Sequence, residues 1–491
     1  MSDPPPSAPP RPRTVLPVPR SMRVAMTRGI AWNAAFQAFA TLVQMLRGVL
    51  VAALVAPEEY GLWGGVLAII GAAGVLKQVG ILEAYLADED EDQERSFRAA
   101  LTLELGVNAV LTVAIVVAAP VMAIVYGDRE MLWLVLASTL AAPAMVLQAG
   151  MWPLIRSLQF GRLRLLQTIE PLLGTAITVG LAVAGLGAWS LVLGGLVGAW
   201  ATALLAIRAC PFPLRPIRDV ARLRARLKVS APVAAATGSA AAVLLGSVVA
   251  AELLVGTAAV GAITLASTVA LAAQRLDAAI ADAVMPAISA RREDDALLVE
   301  AFGKANRMSL LWAGPVGAAC ALFPTTLVHT VLGERWEPMI PVLRWFGIAI
   351  VIGHIGTNLW QFLLVRGHGR SLLALAAVHV GGFVAFTIPL LAWQGVDGYG
   401  IALALTALAG LLVRGVLAQR LFPGLSMTRH AGRALAPTLL ASAAALASDP
   451  LPVGVRIGIF GAIVLASVGL FERRLAKEAA RYLLGRGRAT A

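Results

Sequence analysis

Long apolar stretches, each about the length that crosses a bilayer, dominate this sequence and are separated by short segments that carry arginine. A helix that crosses about 30 Å of hydrocarbon needs about 20 apolar residues. Dividing the chain at its charged, proline and glycine clusters predicts fourteen spans, at residues 30–56, 60–86, 99–126, 131–151, 165–185, 188–207, 231–253, 257–281, 308–331, 340–365, 372–393, 399–418, 434–447 and 457–471. The predicted fold class is therefore an all-α integral membrane protein.

The composition excludes the soluble alternatives. Apolar residues make up 59% of the chain and charged residues only 14%, whereas a soluble domain has about 25% charged residues. A mean hydropathy of +0.80 over 491 residues leaves too little polar surface for a soluble globule. These values argue against a cytosolic enzyme, a nucleic-acid-binding domain and a disordered protein.

The distribution of positive charge predicts the topology. The chain has 40 Lys and Arg residues against 28 Asp and Glu residues. If the N-terminus lies inside, 32 of these cations fall on inner segments, three on outer loops and five within spans. Since inner loops of membrane proteins are enriched in Lys and Arg, both termini are expected to be cytoplasmic. The basic excess then needs no nucleic-acid partner.

The spans group into two predicted lobes of six helices with two further helices after them. The segment between the lobes is basic, and two interpretations remain open: an amphipathic helix on an anionic membrane surface, or a solvated linker. The predicted divisions are 1–29 (a disordered, Pro-rich basic tail), 30–207 (N-lobe), 208–230 (linker), 231–420 (C-lobe), 421–472 (spans 13 and 14) and 473–491 (a basic tail).

A weak internal repeat supports the two lobes. An offset of 200 residues aligns Leu54, Val55 and Gly61 with the same residue types at positions 254, 255 and 261. The same register pairs Lys77 with Asp277. Repeated halves are common in transporters, whose binding sites lie between them.

Five short motifs occur in an order that resembles a known family. They are LVAPEEYGL at 54–62, QVGI at 78–81, MPAIS at 285–289, GERW at 333–336 and GHGR at 367–370. Together with the predicted span count, they resemble the polysaccharide exporters of the multidrug/oligosaccharidyl-lipid/polysaccharide (MOP) flippase superfamily. The order of the motifs carries this resemblance more than any single motif does.

The resemblance implies a flippase for lipid-linked oligosaccharides in the inner membrane of a bacterium. Its two lobes would surround a central cavity and work by alternating access. The expected partners are a polyprenyl-linked glycan, membrane lipids and the polymerase or export machinery that uses the product. The alternatives are a cation-coupled multidrug exporter of the same superfamily and, from another class, a membrane glycosyltransferase or polymerase. The enzyme interpretation is disfavoured because every predicted outer loop is short.

Three cations within the predicted spans are the candidate substrate-binding residues: Arg47, Lys77 and Arg275. A charge at the centre of a span costs about 2.5–3.5 kcal/mol on insertion scales. The family resemblance implies that these helices line the cavity, where a cation offsets the desolvation of a phosphate. The alternative is that each cation pairs with a nearby acid, for example Arg275 with Asp277 or Asp282, and only stabilises the bundle.

Energy coupling and packing give the remaining predictions. Asp277 and Asp282 are the candidate sites for a coupling proton or Na⁺. The sequence has no P-loop and no metal-binding or catalytic motif, so no cofactor is expected. The glycines at 194, 195 and 198 and at 353 and 356 predict close helix contacts, and Arg414, near a span end, is predicted to snorkel.

Overall fold

The structure is a computed structural model that describes residues 22–78, 80–88, 92–221, 231–268, 288, 295–422 and 427–471, and this part is helical without any strand. Its helices are α1 (Met22–Leu54), α2 (Pro57–Leu76), α3 (Ile81–Leu86), α4 (Gln93–Tyr126), α5 (Arg129–Thr139), α6 (Ala141–Gln148), α7 (Trp152–Arg156), α8 (Phe160–Gln167), α9 (Ile169–Val183), α10 (Ala188–Ala209), α11 (Ala231–Leu254), α12 (Thr257–Thr268), α13 (Asp295–Leu322), α14 (Pro324–Leu327), α15 (Met339–His354), α16 (Leu359–Val365), α17 (Gly369–Gly382), α18 (Ile388–Gln394), α19 (Val396–Leu421), α20 (Met427–Ala447) and α21 (Val453–Phe471).

Several consecutive helices join into single spans, so that the described residues contain eleven spans by length and composition. A twelfth is α13 continued by residues Pro324–Leu332, which bends by 74°. Helix α12 begins the predicted eighth span and reaches the last described residue of that segment. The predicted thirteenth span is helical as α20, but α20 is not among the spans identified by length and composition. The all-α membrane fold is confirmed, whereas the count of fourteen and the cytoplasmic termini remain predictions.

Large apolar side chains cover the outside of the bundle. Ile124 is 79% exposed, Trp393 78% and Leu465 76%. In water this surface would be strongly unfavourable, but hydrocarbon solvates it, and the helices satisfy their backbone polar groups internally as hydrocarbon demands. The chain is therefore a multi-pass membrane protein.

Close helix packing occurs at some of the predicted glycines. A Cβ atom added to Gly194 would lie 2.0 Å from the Thr178 hydroxyl oxygen, and one added to Gly198 would lie 2.8 Å from the Glu170 carbonyl oxygen. These two glycines therefore let α10 approach α9 closely, as predicted. The described residues show no such contact for Gly195 and Gly353, since none of their atoms lies within 4 Å of a Cβ added at either position.

Gly356 follows the end of a helix and also makes the predicted close contact, since a Cβ added there would lie 2.2 Å from the Met427 side chain of α20. It has a positive φ of +74° in the break between α15 and α16. Its backbone N–H donates to the Asn306 side-chain oxygen at 2.7 Å. Arg414, predicted to snorkel, instead donates to the carbonyl oxygens of Ile355 at 3.0 Å and Ile352 at 3.4 Å. The break thus satisfies its orphan backbone groups with side chains of neighbouring spans.

Replacing Arg414 by methionine is expected to destabilise this break. The two carbonyl groups lose their donor in a part of the protein where water is scarce, which costs about 1–3 kcal/mol. A lower midpoint in thermal unfolding of the purified protein in detergent would show this. Arg420, exposed near the end of the same helix, is the matched control, and Arg420→Met should leave the midpoint unchanged. Equal midpoints for both variants would contradict the assignment.

Among the described residues, one helix pair makes the most extensive contact between the two halves of the chain. Helix α2 lies against α11, and a Cβ on Gly71 of α2 would lie 3.1 Å from Leu244 of α11. The same helix α11 packs on its other side against α17. The contact between α2 and α11 therefore joins the predicted N-lobe to the predicted C-lobe, and the ends of α2 mark the two functional regions described next.

Candidate functional site

A cavity of about 700 Å³, lined by both polar and apolar side chains, lies within the N-terminal half of the protein. Its walls come from the C-terminal end of α2, from α3 and α4, and from α6 to α8. Lys77, Glu104 and Arg164 are its charged residues together with Glu83. By the predicted topology this is the cytoplasmic side of the span formed by α2 and α3.

Lys77 forms an ion pair at the wall of this cavity. Its ammonium lies 2.5 Å from a carboxylate oxygen of Glu104, and the two side chains are 22% and 5% exposed. Asn108, one turn further along α4, donates to the Glu104 carboxylate at 3.1 Å. The ion pair with Glu104 agrees with the interpretation that Lys77 stabilises the bundle. Its place on the cavity wall agrees with the interpretation that Lys77 contacts the substrate.

Arg47 does not line this cavity among the residues described. It interacts electrostatically with Tyr60 and Glu170, and no carboxylate of the described residues lies within 4 Å of it. Glu170 accepts a hydrogen bond of 3.4 Å from Gln148, which does line the cavity. Among the described residues, Glu170 and Gln148 link Arg47 to the cavity.

The remaining predicted site residues cannot be placed. Arg275, Asp277 and Asp282 lie outside the described residues, so their roles in phosphate binding and ion coupling remain predictions. Within the described part of the chain no group of three or more His, Cys, Asp and Glu residues is arranged to hold a metal ion.

The opposite end of α2 forms a closed contact between the two halves of the chain. We call this region the closed end; it comprises residues 51–61, 257–264 and 333–336. A Cβ on Gly61 would lie 2.0 Å from the Thr257 carbonyl oxygen, and one on Gly261 would lie 2.1 Å from the Pro57 carbonyl oxygen. Residues 57 and 61 correspond to 257 and 261 in the sequence repeat. Reciprocal contacts of this kind are those that a two-fold relation produces.

A tryptophan from the C-terminal half completes the closed end. The Trp336 side-chain N–H and an Arg335 guanidinium N–H both donate to the Ala52 carbonyl oxygen at 2.8 Å. That oxygen lies in the last turn of α1, where carbonyls lack helical partners. Trp336 is fully buried and its ring meets Tyr60 edge-on at 5.5 Å between centroids. The C-terminal half thus caps the helix of the N-terminal half.

Replacing Trp336 by phenylalanine is expected to loosen the closed end. The change keeps the aromatic contact with Tyr60 but removes one hydrogen bond, worth about 1 kcal/mol, so that the open population rises about fivefold. We expect a maleimide to label a cysteine at Val55, which is 1% exposed, correspondingly faster. Cys210→Ser and Cys320→Ser remove the native thiols for this measurement.

The exposed Trp393, near the end of α18, provides the control for this variant. Trp393→Phe should leave the labelling rate at the Val55 position unchanged. A rate in Trp336→Phe that equals the rate in the control would show that the hydrogen bond to Ala52 does not hold the closed end.

Several functional side chains escaped prediction from the sequence. Glu104 was not predicted as the partner of Lys77, because pairing depends on the rotation of each helix. The cavity wall also contains uncharged polar side chains, which the distribution of charge in the sequence does not reveal. They are Gln78, Gln148, Trp152 and Gln167.

Comparison with known proteins places this geometry in a family. The family described as polysaccharide biosynthesis protein matches residues 50–341, more than half of the chain. No curated protein matches the sequence.

The fold is that of solved flippases and transporters. The lipid II flippase MurJ in an inward closed conformation superposes with a TM-score of 0.69 and 14% identity, over 90% of this chain and 99% of that one. An inward-facing multidrug resistance MATE family transporter of the MOP superfamily gives 0.57 and 18%, over 81% and 100%. The outward-facing form gives 0.55 and 18%, over 82% and 98%. These relatives are transporters and not enzymes. The chain belongs to the polysaccharide biosynthesis protein family and has the fold of the MOP-superfamily transporters.

Proposed function

We propose that this protein flips a lipid-linked oligosaccharide from the inner to the outer leaflet of a bacterial cytoplasmic membrane. The observation that carries the proposal is Lys77, a cation on the wall of the cavity between membrane-spanning helices, in a chain of the polysaccharide biosynthesis family. A polyprenyl-linked glycan must bring phosphate groups into a low dielectric, and a fixed cation offsets part of that cost.

The arrangement of the two regions on α2 supports alternating access. Tyr60 and Lys77 are 17 residues apart in the sequence, which corresponds to about 25 Å along a helix. The closed end seals one side, which is the outer side in the predicted topology, while the cavity lies on the other. In the opposite state the closed end would be open and the cavity side would be closed. Exchange between the two states would move a bound head group across the membrane without exposing it to hydrocarbon.

Energy and partners follow from the same proposal. We expect no nucleotide cofactor, and coupling to a proton or Na⁺ would involve Asp277 or Asp282. The flipped glycan would pass to a polymerase or to the export machinery in the outer leaflet. This lipid-linked substrate distinguishes the protein from a transporter of free sugars.

Deletion of the gene in its native host tests the proposal. We expect loss of a surface polysaccharide and accumulation of undecaprenyl-linked oligosaccharide on the inner leaflet, measured by lipid extraction and mass spectrometry. A plasmid copy should reverse both changes. Unchanged polysaccharide and lipid intermediates in the deletion strain would contradict the proposal.

The MATE-like fold supports a second candidate, a cation-coupled multidrug exporter. Such a protein would lower the susceptibility of the cell to lipophilic cations such as ethidium. In the deletion strain the flippase proposal expects unchanged ethidium accumulation, whereas the exporter expects an increase. Measuring both ethidium and lipid-linked sugar in one strain separates the two functions.

A further inference from the structure

The cavity of the N-terminal half has a lining suited to a neutral, hydroxyl-rich ligand. Its two positive and two negative charges balance, since Lys77 pairs with Glu104, and Arg164 and Glu83 add one charge of each sign. A lipophilic cation would favour a net acidic wall. Glutamine side chains, which both donate and accept hydrogen bonds, make up much of the remaining polar surface.

Five polar groups on this wall have unused hydrogen-bonding capacity. Within the part of the chain that the structure describes, no side-chain hydrogen bond is made by Gln78, by the carboxylate of Glu83 or by the indole N–H of Trp152. Gln148 uses its amide nitrogen, which donates to Ala199 at 3.2 Å and to Glu170, but not its oxygen. Gln167 uses its oxygen, which accepts from Arg164 at 2.6 Å, but not its nitrogen.

These groups surround a volume that matches a short oligosaccharide. Pockets of about 300–1,000 Å³ enclose ligands of drug size, and this cavity has about 700 Å³. Sugar hydroxyls need both donors and acceptors, while the apolar face of a sugar ring packs on an aromatic ring with a polar edge. Trp152 supplies that ring and is held at 6.3 Å from Tyr85 between centroids.

We propose that this cavity is a carbohydrate subsite, in which Gln78, Gln148, Trp152 and Gln167 bind the first sugars of the glycan. The inference rests on the proposed function and adds to it which part of the substrate these residues contact. Lys77 then lies next to the sugars, where it is near the phosphate to which the first sugar is attached. Recognition of the sugar is thereby separated from recognition of the lipid.

Binding to two probes tests this assignment on the purified full-length protein in nanodiscs. The first probe is undecaprenyl pyrophosphate, which has no glycan. The second is the oligosaccharide released by mild acid from the surface polysaccharide of the native host. The variant is Gln78→Leu combined with Gln167→Leu, which keeps side-chain size and removes the hydrogen bonds. Gln394→Leu, at an exposed position on α18, is the matched control.

We expect the double variant to bind the oligosaccharide at least about tenfold more weakly than the wild type, as the loss of two or more hydrogen bonds implies. Its affinity for undecaprenyl pyrophosphate should stay within about twofold, and the control should match the wild type for both probes. An equal loss for both probes, or wild-type affinity for the oligosaccharide, would overturn the subsite. The deletion strain tests the proposed flippase function independently of the subsite. Accumulation of lipid-linked sugar in that strain would support the flippase function even if the subsite assignment were wrong.

Discussion

Replacing Gly61 by valine is expected to abolish transport and to open the closed end permanently. A Cβ atom at this position would lie 2.0 Å from the Thr257 carbonyl oxygen and 2.8 Å from the Thr257 side chain. Such a contact with backbone cannot be relieved by a rotamer change, so that α2 and α12 must separate. Gly261→Val should have the same effect, because its Cβ would lie 2.1 Å from the Pro57 carbonyl oxygen.

Two readouts separate the structural effect from the functional one. Maleimide labelling of a cysteine at Val55 reports whether the closed end has opened, whatever the substrate is. Surface polysaccharide in a complemented deletion strain reports transport. We expect both Gly61→Val and Gly261→Val to give fast labelling and less than about a tenth of the polysaccharide, an effect of about 1.4 kcal/mol or more.

Gly195→Val is the matched control for these variants. Gly195 is also a glycine in a membrane-spanning helix, but a Cβ there meets no atom of the described residues within 4 Å. Gly195→Val should therefore leave both the labelling rate at the Val55 position and the amount of surface polysaccharide unchanged. Slow labelling in Gly61→Val, with export at the level of this control, would contradict the role of the glycine pair.

The sequence repeat contained the two glycines of the closed end, although it did not predict that they lie in contact. An offset of 200 residues picked out Gly61 and Gly261, and the structure places both in one reciprocal contact. Glycine is informative here because close backbone approach excludes every larger residue. Gly353 shows the limit of the same argument, since it lies in a similar glycine pattern but no atom of the described residues lies within 4 Å of a Cβ added there.

The positions of the spans were predictable because hydropathy is a property of sequence alone. Which side chains meet inside the bundle was not, because a shift of one residue turns a helical side chain by about 100°. The pairing of Lys77 with Glu104 and the cap of Trp336 on Ala52 depend on such rotations. The break at Gly356 was missed because a glycine in a hydrophobic span predicts either packing or a helix end.

Replacing Lys77 by methionine is expected to destabilise the protein and to stop transport. The change leaves the Glu104 carboxylate, only 5% exposed, without its counter-charge. Breaking a buried ion pair from one side costs about 3–5 kcal/mol, and the partial exposure of Lys77 favours the lower value. Unfolding by SDS of the protein purified in detergent measures the loss, and surface polysaccharide measures transport.

The double variant Lys77→Met/Glu104→Met distinguishes the two roles of this lysine. Removal of both charges is often nearly neutral for stability, so we expect the free energy of unfolding to return close to the wild-type value. If Lys77 binds the substrate phosphate, transport stays at least tenfold reduced although the fold is restored. Recovery of transport together with stability would show instead that the lysine serves only to pair with Glu104.

An exposed ion pair elsewhere in the protein provides the reference for both variants. Lys304 and Glu300 are 2.8 Å apart on the surface of α13, with side chains 51% and 62% exposed. Exposed pairs of this kind contribute about 0–1 kcal/mol, so Lys304→Met should change neither stability nor transport appreciably. The difference between the stability losses of Lys77→Met and Lys304→Met then measures how much more a buried ion pair contributes than an exposed one. A lysine within a membrane span is energetically costly. If its removal stops export although the double variant is stable, the lysine serves the substrate and not the fold.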